Sequence, residues 1–198
     1  MRKNIVLCGV GGQGTVLASR LISAAAMGRG IPVMSAETIG MAQRGGSVFS
    51  HLRLGDHVYS PMIARGEADL ILGFEPGEAV RMLPYLKEGG QVIVSSRPVM
   101  PVTATLSGTA YRAEDMLDYL QRHVRRLTVV DAETALKEVG SPKVLNLILL
   151  GAALREDALG LTEEDLIAAI REKIPEKFHA LNLKALAWAG RAEGPKES

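Results

Sequence analysis

The sequence predicts an α/β protein with a Rossmann-like, mostly parallel sheet flanked by helices. Three observations lead to this prediction. Short apolar runs rich in β-branched residues alternate with longer segments of helical periodicity. A glycine-rich turn, Gly9–Gly14, joins the first apolar run to the first helical segment. From Pro142 onward the pattern is helical, so we expect a helical C-terminal part beside the sheet.

The first half of the chain predicts a β–turn–α–β unit followed by an inserted β-hairpin. The expected elements are a strand at Ile5–Cys8, a helix at Thr15–Arg29, a strand at Ile31–Ser35, a loop at Ala36–Gly46, and strands at Ser47–Leu54 and His57–Tyr59. Gly28 and Gly30 are expected to end the helix. A right-handed crossover would pair the first two strands in parallel. Gly55–Asp56 lies between the last two strands and predicts the turn of the hairpin.

The second half of the sequence again predicts alternating strands and helices, followed by a segment of helices alone. The expected elements are a strand at Ala68–Phe74, a helix at Pro76–Leu86 stopped by Gly89 and Gly90, a strand at Gln91–Ser95, a helix at Ala113–His123, a strand at Leu127–Val130, and helices at Ala132–Val139, Val144–Leu154, Thr162–Lys173 and Pro175–Ala189. Ser141 before Pro142, and Thr162 before three acidic residues, are typical helix N-caps.

Length and composition limit the functional classes. The chain has 198 residues, and we expect one Rossmann-like domain over 1–190 with a disordered polar tail over 191–198. Apolar residues make up 47% of the chain and charged residues 23%, which excludes general disorder. The 23 basic and 22 acidic residues leave a net charge of +1, so we expect no nucleic-acid partner.

The lengths of the apolar runs and the single cysteine limit the cellular location and the kinds of metal or disulfide site that we expect. No apolar run reaches the roughly 18 residues of a membrane span, and Ile5–Cys8 is too short for a signal peptide. We therefore expect a cytoplasmic protein with no membrane partner. Cys8 is the single cysteine, which excludes a disulfide framework, a thiolate zinc site and an iron–sulfur cluster built from this chain alone. We expect its thiol to be a small buried hydrophobic group.

The turn Gly9–Gly14 has the pattern G-x-G-x-x-G between a strand and a helix. Glycines allow a tight turn and close backbone approach, and the helix N-terminus offers unpaired N–H groups and a positive dipole end. The context predicts a site for a phosphate-bearing ligand, the alternative being a turn that serves helix–strand packing alone. The side chain of Gln13 either contacts the ligand or caps the turn.

Glu37 keeps a dinucleotide-binding alternative open. It lies 23 positions past Gly14, close to the place where such proteins carry an acid that binds the ribose. A freestanding NAD(P)- or flavin-dependent reductase is therefore one alternative, although the chain after Glu37 leads into the predicted hairpin. A non-catalytic Rossmann-like regulatory subunit is another.

Several segments resemble the gamma-type subunits of the 2-oxoacid:ferredoxin oxidoreductases. The similar segments are Gly9–Gly14, Gln43–Ser47, His51, Arg53, Tyr59–Pro61, Ala68–Asp69, Asn146–Gly151, Lys177 and Asn182. Gly40–Gly46 and Gly73–Pro76 most resemble the small (beta) subunit of indolepyruvate:ferredoxin oxidoreductase. The similarity covers about residues 3–189, and the combination is far more specific than any one motif. Ile39 departs from the pattern, since many relatives have His there.

The resemblance implies a complex that oxidatively decarboxylates an aryl pyruvate with coenzyme A, giving an acyl-CoA, carbon dioxide and reduced ferredoxin. It implies that thiamine diphosphate, Mg and [4Fe–4S] clusters belong to a large (alpha) partner subunit, through which ferredoxin is reached. This chain would be inactive alone and would help to complete the active-site or coenzyme A region. The sequence leaves open whether the isolated chain forms a homodimer.

The candidate site residues are those of the two glycine segments. They are Gly9, Gly11, Gly12, Gln13, Gly14, Arg44, Gly45 and Gly46. We expect them to bind a ligand and close the site, with Arg44 pairing with phosphate or carboxylate. We assign no catalytic residue and no metal ligand, because His51 and His57 have no matching ligand set; His51 is expected to face a partner or ligand. With 4% aromatic residues, no stacking pocket for an indole ring is evident, so the substrate depends on the resemblance.

Overall fold

Residues 2–37, 45–99, 111–188 and 192–193 are described by the structure, a computed structural model. The strands are β1 (Lys3–Val10), β2 (Val33–Glu37), β3 (Ser47–Leu54), β4 (Ala68–Gly73), β5 (Leu86–Ser95), β6 (Arg126–Val130) and β7 (Ala192–Glu193). The α-helices are α1 (Thr15–Gly28), α2 (Pro76–Met82), α3 (Ala113–His123), α4 (Ala132–Val139), α5 (Leu145–Arg155), α6 (Glu163–Lys173) and α7 (His179–Leu186). Short 3₁₀ turns lie at Leu83–Tyr85, Pro142–Val144 and Glu176–Phe178.

The strands form one mixed sheet in the order β2-β3-β1-β4-β5-β6-β7. Strands β1, β4, β5 and β6 pair in parallel. Strand β3 is antiparallel to both of its neighbours, and β7 is antiparallel to β6. Strand β2 consequently points the same way as β1, so among the described strands β3 and β7 alone run against the common direction. The prediction of a mostly parallel, Rossmann-like sheet with a helical C-terminal part is confirmed.

The predicted parallel pairing of the first two strands is wrong, because β3 lies between β1 and β2. In β3 the consecutive residues Ser50, His51 and Leu52 are all buried, so both faces of the strand are covered. A strand covered on both faces suits the interior of a sheet. The antiparallel pairing that departs from the usual α/β pattern is therefore the pairing of β3 with β2 and with β1.

The predicted hairpin between Ser47–Leu54 and His57–Tyr59 is also wrong, because the second arm is not a strand. Both edges of β3 are already paired, with β1 and with β2, so no edge is free for another arm. Instead the guanidinium of Arg53 donates to the carbonyls of Ser60 and Met62, each at 3.2 Å, and holds this segment as a loop.

Two hydrophobic cores lie on opposite faces of the sheet. In β1, Ile5 and Leu7 face a core shared with α1 and α4–α7, whereas Val6 and Cys8 face a core shared with α2 and α3. The helix after β1 and the helix after β4 therefore cover opposite faces. The carboxyl ends of β1 and β4 form a topological switch point, the usual place for a ligand site in open α/β sheets.

The predicted capping residues begin their helical segments as expected, but the predicted stop of one helix at two glycines is wrong. Thr162 and Asp165 form the predicted capping box at the start of α6, and Ser141 caps the 3₁₀ turn before α5. Gly89 and Gly90 do not stop the helix before them but lie inside β5. Helix α2 ends earlier, close to Pro84, which has no N–H to donate. Among the described helices, none is long and apolar enough to cross a membrane.

Candidate functional site

The glycine turn lies at the carboxyl end of β1 and leads directly into α1. Gly12 has φ +102° and Gly14 has φ +87°, which are left-handed backbone conformations that other residues rarely adopt. Gly14 is the N-cap of α1, and its carbonyl accepts the first helical hydrogen bond from the N–H of Ala18 at 3.0 Å. The two glycines therefore set the direction in which the helix leaves the sheet.

The side chain of Gln13 holds the turn closed. Its Oε1 accepts from the N–H of Val10 at 2.7 Å, and its Nε2 donates to the carbonyl of Phe74 at 2.9 Å. Phe74 directly follows β4, so one amide joins the ends of the two strands at the switch point. Of the two roles predicted for Gln13, the structure shows the capping contact.

The second glycine segment lies against the first. The N–H of Gly11 donates to the carbonyl of Gly46 at 2.9 Å, and the N–H of Gly45 lies 3.5 Å from the carbonyl of Gly11. The structure therefore brings together two segments more than thirty positions apart in sequence. Arg44, the charged member of the predicted site, lies outside the described residues, as does Ile39.

The N-terminus of α1 has no side-chain cap, and its first turn contains no acidic residue. The N–H groups of the first helical turn have no carbonyl partner within the helix, and the helix dipole places partial positive charge there. This end of α1 can therefore receive an anion, which is the chemistry that the glycine pattern predicts.

A buried carboxylate cluster, which the sequence analysis did not identify, lies at the start of α2. Glu75 caps α2 through the N–H of Glu78 at 2.9 Å and accepts a hydrogen bond from the hydroxyl of Tyr111. The same hydroxyl accepts from the N–H of Gly77 at 3.0 Å, and Ser47 donates to Glu78 at 2.6 Å. All four polar contacts are internal, so this cluster fixes α2 and the first residue of β3.

Burial determines the protonation behaviour of this cluster. Desolvation raises the pKa of Glu75, although the hydrogen bond from Tyr111 acts in the opposite direction. Burial and the neighbouring carboxylate raise the pKa of Tyr111 as well, so the hydroxyl stays protonated and donates a hydrogen bond to Glu75. The sequence offered only a weak signal here, because Glu75 and Tyr111 are 36 positions apart.

Cys8 is buried, as predicted. Its pKa is raised well above the usual value, first by burial and then by the negative charges of Glu78 and Glu75. The group is therefore a thiol, and its Sγ lies 3.9 Å from the carbonyl oxygen of Leu72. In the part of the chain that the structure describes, no group of three or more His, Cys, Asp or Glu residues is placed to hold a metal ion.

His51 does not face a partner or ligand, so that expectation is wrong. The residue is 1% exposed, and its Nδ1 accepts from the N–H of Ile63 at 2.8 Å. Tyr85 lies edge-on to the ring at a centroid distance of 5.2 Å. Burial lowers the pKa of His51, so the neutral ring is favoured. His51 lies inside because β3 is a central strand.

The position of Glu37 disfavours the dinucleotide alternative. Dinucleotide-binding folds place their ribose-binding acid at the end of the strand next to the glycine turn. Here that neighbouring strand is β3, and Glu37 lies one strand further out, at the end of β2. Two strand spacings, about 10 Å, separate β1 from β2. The glycine turn and Glu37 therefore do not form the usual pair.

Known proteins resemble this chain over almost its whole length. Residues 4–192 match the family described as pyruvate ferredoxin/flavodoxin oxidoreductase. The chain is 38% identical to the indolepyruvate oxidoreductase subunit IorB of Thermococcus kodakarensis over 194 residues, which cover 96% of this chain and 95% of that protein.

Two solved structures share the fold. The keto/oxoacid ferredoxin oxidoreductase gamma subunit of Geobacter sulfurreducens has a TM-score of 0.65 at 24% identity, covering 93% of this chain and 94% of that one. The 2-oxoglutarate:ferredoxin oxidoreductase of Magnetococcus marinus, with 2-oxoglutarate, coenzyme A and succinyl-CoA bound, has a TM-score of 0.67 at 19% identity, covering 93% of this chain and 30% of that one. With the family match extending over nearly all of the sequence, this chain belongs to the pyruvate ferredoxin/flavodoxin oxidoreductase family.

Proposed function

We propose that this chain is the small subunit of an indolepyruvate-type 2-oxoacid:ferredoxin oxidoreductase and that it acts only in complex with a large (alpha) subunit in the cytoplasm. The identity of 38% to a protein named as a subunit of indolepyruvate oxidoreductase supports the proposal, because it extends over almost the whole of both chains. The complex would convert an aryl pyruvate and coenzyme A into an acyl-CoA and carbon dioxide, passing two electrons to ferredoxin.

The redox centres would belong to the partner subunit. A [4Fe–4S] cluster needs about four thiolates, and this chain has one cysteine, whose buried thiol has a raised pKa. The residues present therefore do not fit a cluster. Thiamine diphosphate and Mg would also be held by the large subunit, and the electrons would leave through its clusters.

The glycine turn carries the proposed role of this subunit at the active-site region. We assign Gly9, Gly11, Gly12, Gln13, Gly14, Arg44, Gly45 and Gly46 to a site for the anionic part of coenzyme A. The single observation that supports it most is the uncapped N-terminus of α1, free of acidic residues, at the switch point between β1 and β4. Phosphate groups bind such helix ends through backbone N–H groups and the helix dipole.

The test compares two glycine substitutions that carry similar backbone strain. Gly12 (φ +102°) and Gly30 (φ +72°) are both exposed, and a Cβ at either would meet no atom within 4 Å. Only Gly12 lies in the turn, whereas Gly30 follows the opposite end of α1. Each Gly→Ala variant should lose about 1–2 kcal/mol of stability from the left-handed backbone conformation.

In the complex with the large subunit, Gly12→Ala should raise KM for coenzyme A several-fold, because its methyl group would occupy space used by the ligand. KM for the 2-oxoacid should change little, and Gly30→Ala should leave both KM values at the wild-type level. Steady-state rates of dye reduction give these values. Equal KM values for coenzyme A in Gly12→Ala and Gly30→Ala would contradict the role of the turn.

A further inference from the structure

Asn146 is a polar residue in an apolar helix. From Leu145 to Leu154 it is the one side chain of α5 that carries a hydrogen-bonding group. Asn146 is 2% exposed, and neither end of its amide has a hydrogen-bond partner among the described residues: Oδ1 accepts from no donor, and Nδ2 donates to no acceptor. One buried atom is likewise unpartnered in each of Ser19, Ser50 and His51, so burial alone does not single out Asn146. An anion can satisfy only the donor end of the amide, so the position of Nδ2 decides what Asn146 can bind.

The other two asparagines of the chain are also buried, but their side-chain amides form hydrogen bonds. Asn182 in α7 donates to the carbonyl of Phe178 at 2.7 Å. Asn4 donates to the carbonyl of Glu67 at 3.0 Å and accepts from Arg53 at 3.1 Å. Both are buried and both have partners, so Asn146 differs from them in its hydrogen bonding and not in its burial.

The amide of Asn146 lies against the glycine turn. A Cβ placed on Gly14 would be 3.0 Å from Nδ2 of Asn146 and 3.2 Å from its Cγ. Gly14 is the N-cap of α1, whose first turn has neither a side-chain cap nor an acidic residue. The amide therefore adjoins the N–H groups at the start of α1, and its NH₂ group can donate in the same direction as they do.

We propose that Asn146 is a ligand-binding residue of the glycine-turn site, where its amide donates a hydrogen bond to a phosphate group held at the N-terminus of α1. The inference rests on the proposed function in taking that phosphate to belong to coenzyme A. An anion is the ligand class that fits, because a donor amide, helix N–H groups and the positive end of α1 all favour negative charge.

The test measures ligand affinity and stability on the full-length chain with Asn146→Leu, using Asn182→Leu as the matched control. Leu has about the size of Asn and no polar atoms. Asn146→Leu removes an unsatisfied buried group, so its thermal midpoint without ligand should equal or exceed that of the wild type. Asn182→Leu removes a satisfied hydrogen bond and should lower the midpoint.

The affinity of Asn146→Leu for coenzyme A should fall, although its stability should not. Isothermal titration with coenzyme A should show a loss of about ten- to a hundredfold for Asn146→Leu, as expected for one hydrogen bond to a charged group. Asn182→Leu should keep the wild-type affinity. Inorganic pyrophosphate is titrated in parallel as a probe for the phosphate contact alone.

The outcomes separate the two proposals. Binding of coenzyme A by the wild type with no loss in Asn146→Leu overturns the role of Asn146 and leaves the proposed function standing. Binding of pyrophosphate but not coenzyme A, with the loss in Asn146→Leu, supports the contact and overturns coenzyme A as its source. Binding of neither probe by the wild type, both as the isolated chain and in the complex with the large subunit, overturns the anion site at the glycine turn and therefore both proposals for that turn.

Discussion

At the residue scale, the glycine turn depends on one side chain. Gln13 satisfies the N–H of Val10 and the carbonyl of Phe74 with a single amide. One side chain therefore pairs a backbone group at the end of β1 with one just after β4. The N–H groups of the first turn of α1 have no partner within the helix and can bind another acceptor. Gln13 thus fixes the geometry of the turn in which the proposed ligand would bind.

His51 makes the stability of the protein depend on pH. Its pKa is lowered in the folded state from the usual value of 6.5. Below pH 6.5 the unfolded chain therefore takes up a proton that the folded chain resists. The stabilising contribution is fully present above pH 6.5 and is lost as the pH falls towards the folded-state pKa, with a slope of up to about 1.4 kcal/mol per pH unit.

Urea denaturation between pH 5 and 8 checks this prediction with His51→Asn, which keeps an acceptor for the N–H of Ile63 but does not titrate. The variant should lose the part of the slope that His51 supplies. Glu75 acts with the opposite sign, since its raised pKa costs stability as the pH rises, and it is common to both proteins. Identical slopes for wild type and His51→Asn would contradict the prediction.

Residues of the site differ in how far the sequence reveals them. Gly12 and Gly14 belong to a local pattern whose backbone requirements are set by neighbours in the chain. Two other features depend on tertiary packing: the carbonyl of Gly46 accepts from the N–H of Gly11, and Asn146 lies beside Gly14. Local patterns predict the turn, but they cannot show which distant side chains surround it.

At the element scale, β3 is the feature that separates this fold from the dinucleotide-binding arrangement. It occupies the position beside β1 and moves β2 outward. The alternation of strands and helices predicted most elements because it reflects local burial. The order of the strands could not be read in the same way, because β3 has buried residues on both faces and its two partners lie before it in the chain.

Close contact between α5 and α7 is a second feature at this scale, and Gly151 makes it possible. A Cβ on Gly151 would lie 2.0 Å from the carbonyl oxygen of Leu186. Gly151→Ala should therefore destabilise the protein by about 1–3 kcal/mol, because forced separation of the helices outweighs the better helix propensity of alanine. Chemical denaturation measures the change.

Gly28 provides the matched control. It lies in α1, and a Cβ there would meet no atom within 4 Å. Gly28→Ala should raise stability by about 0.4–1 kcal/mol by limiting the freedom of the unfolded chain. If Gly151→Ala were as stable as Gly28→Ala, the close approach of α5 to α7 would be refuted.

At the scale of the whole molecule, the chain combines the glycine turn, which we propose as a ligand site, with a single cysteine. One buried cysteine cannot hold a cluster, and the carboxylates of Glu75 and Glu78 are used to fix α2. In the proposed function, a chain with these residues would depend on other subunits for electron transfer. The proposal that the redox centres belong to a partner is thus drawn from the residues of this chain, whereas the proposed aryl pyruvate comes from the names of its relatives.

The most direct test of this account is anaerobic affinity purification of the tagged chain from its own cells, followed by an assay of the eluate. The account predicts a co-purifying large iron–sulfur, thiamine-dependent subunit and dye reduction that requires both indolepyruvate and coenzyme A. The chain purified alone should be colourless and inactive. A chain that elutes without partners and binds NAD(P) or a flavin tightly would contradict the account and establish a freestanding reductase in its place.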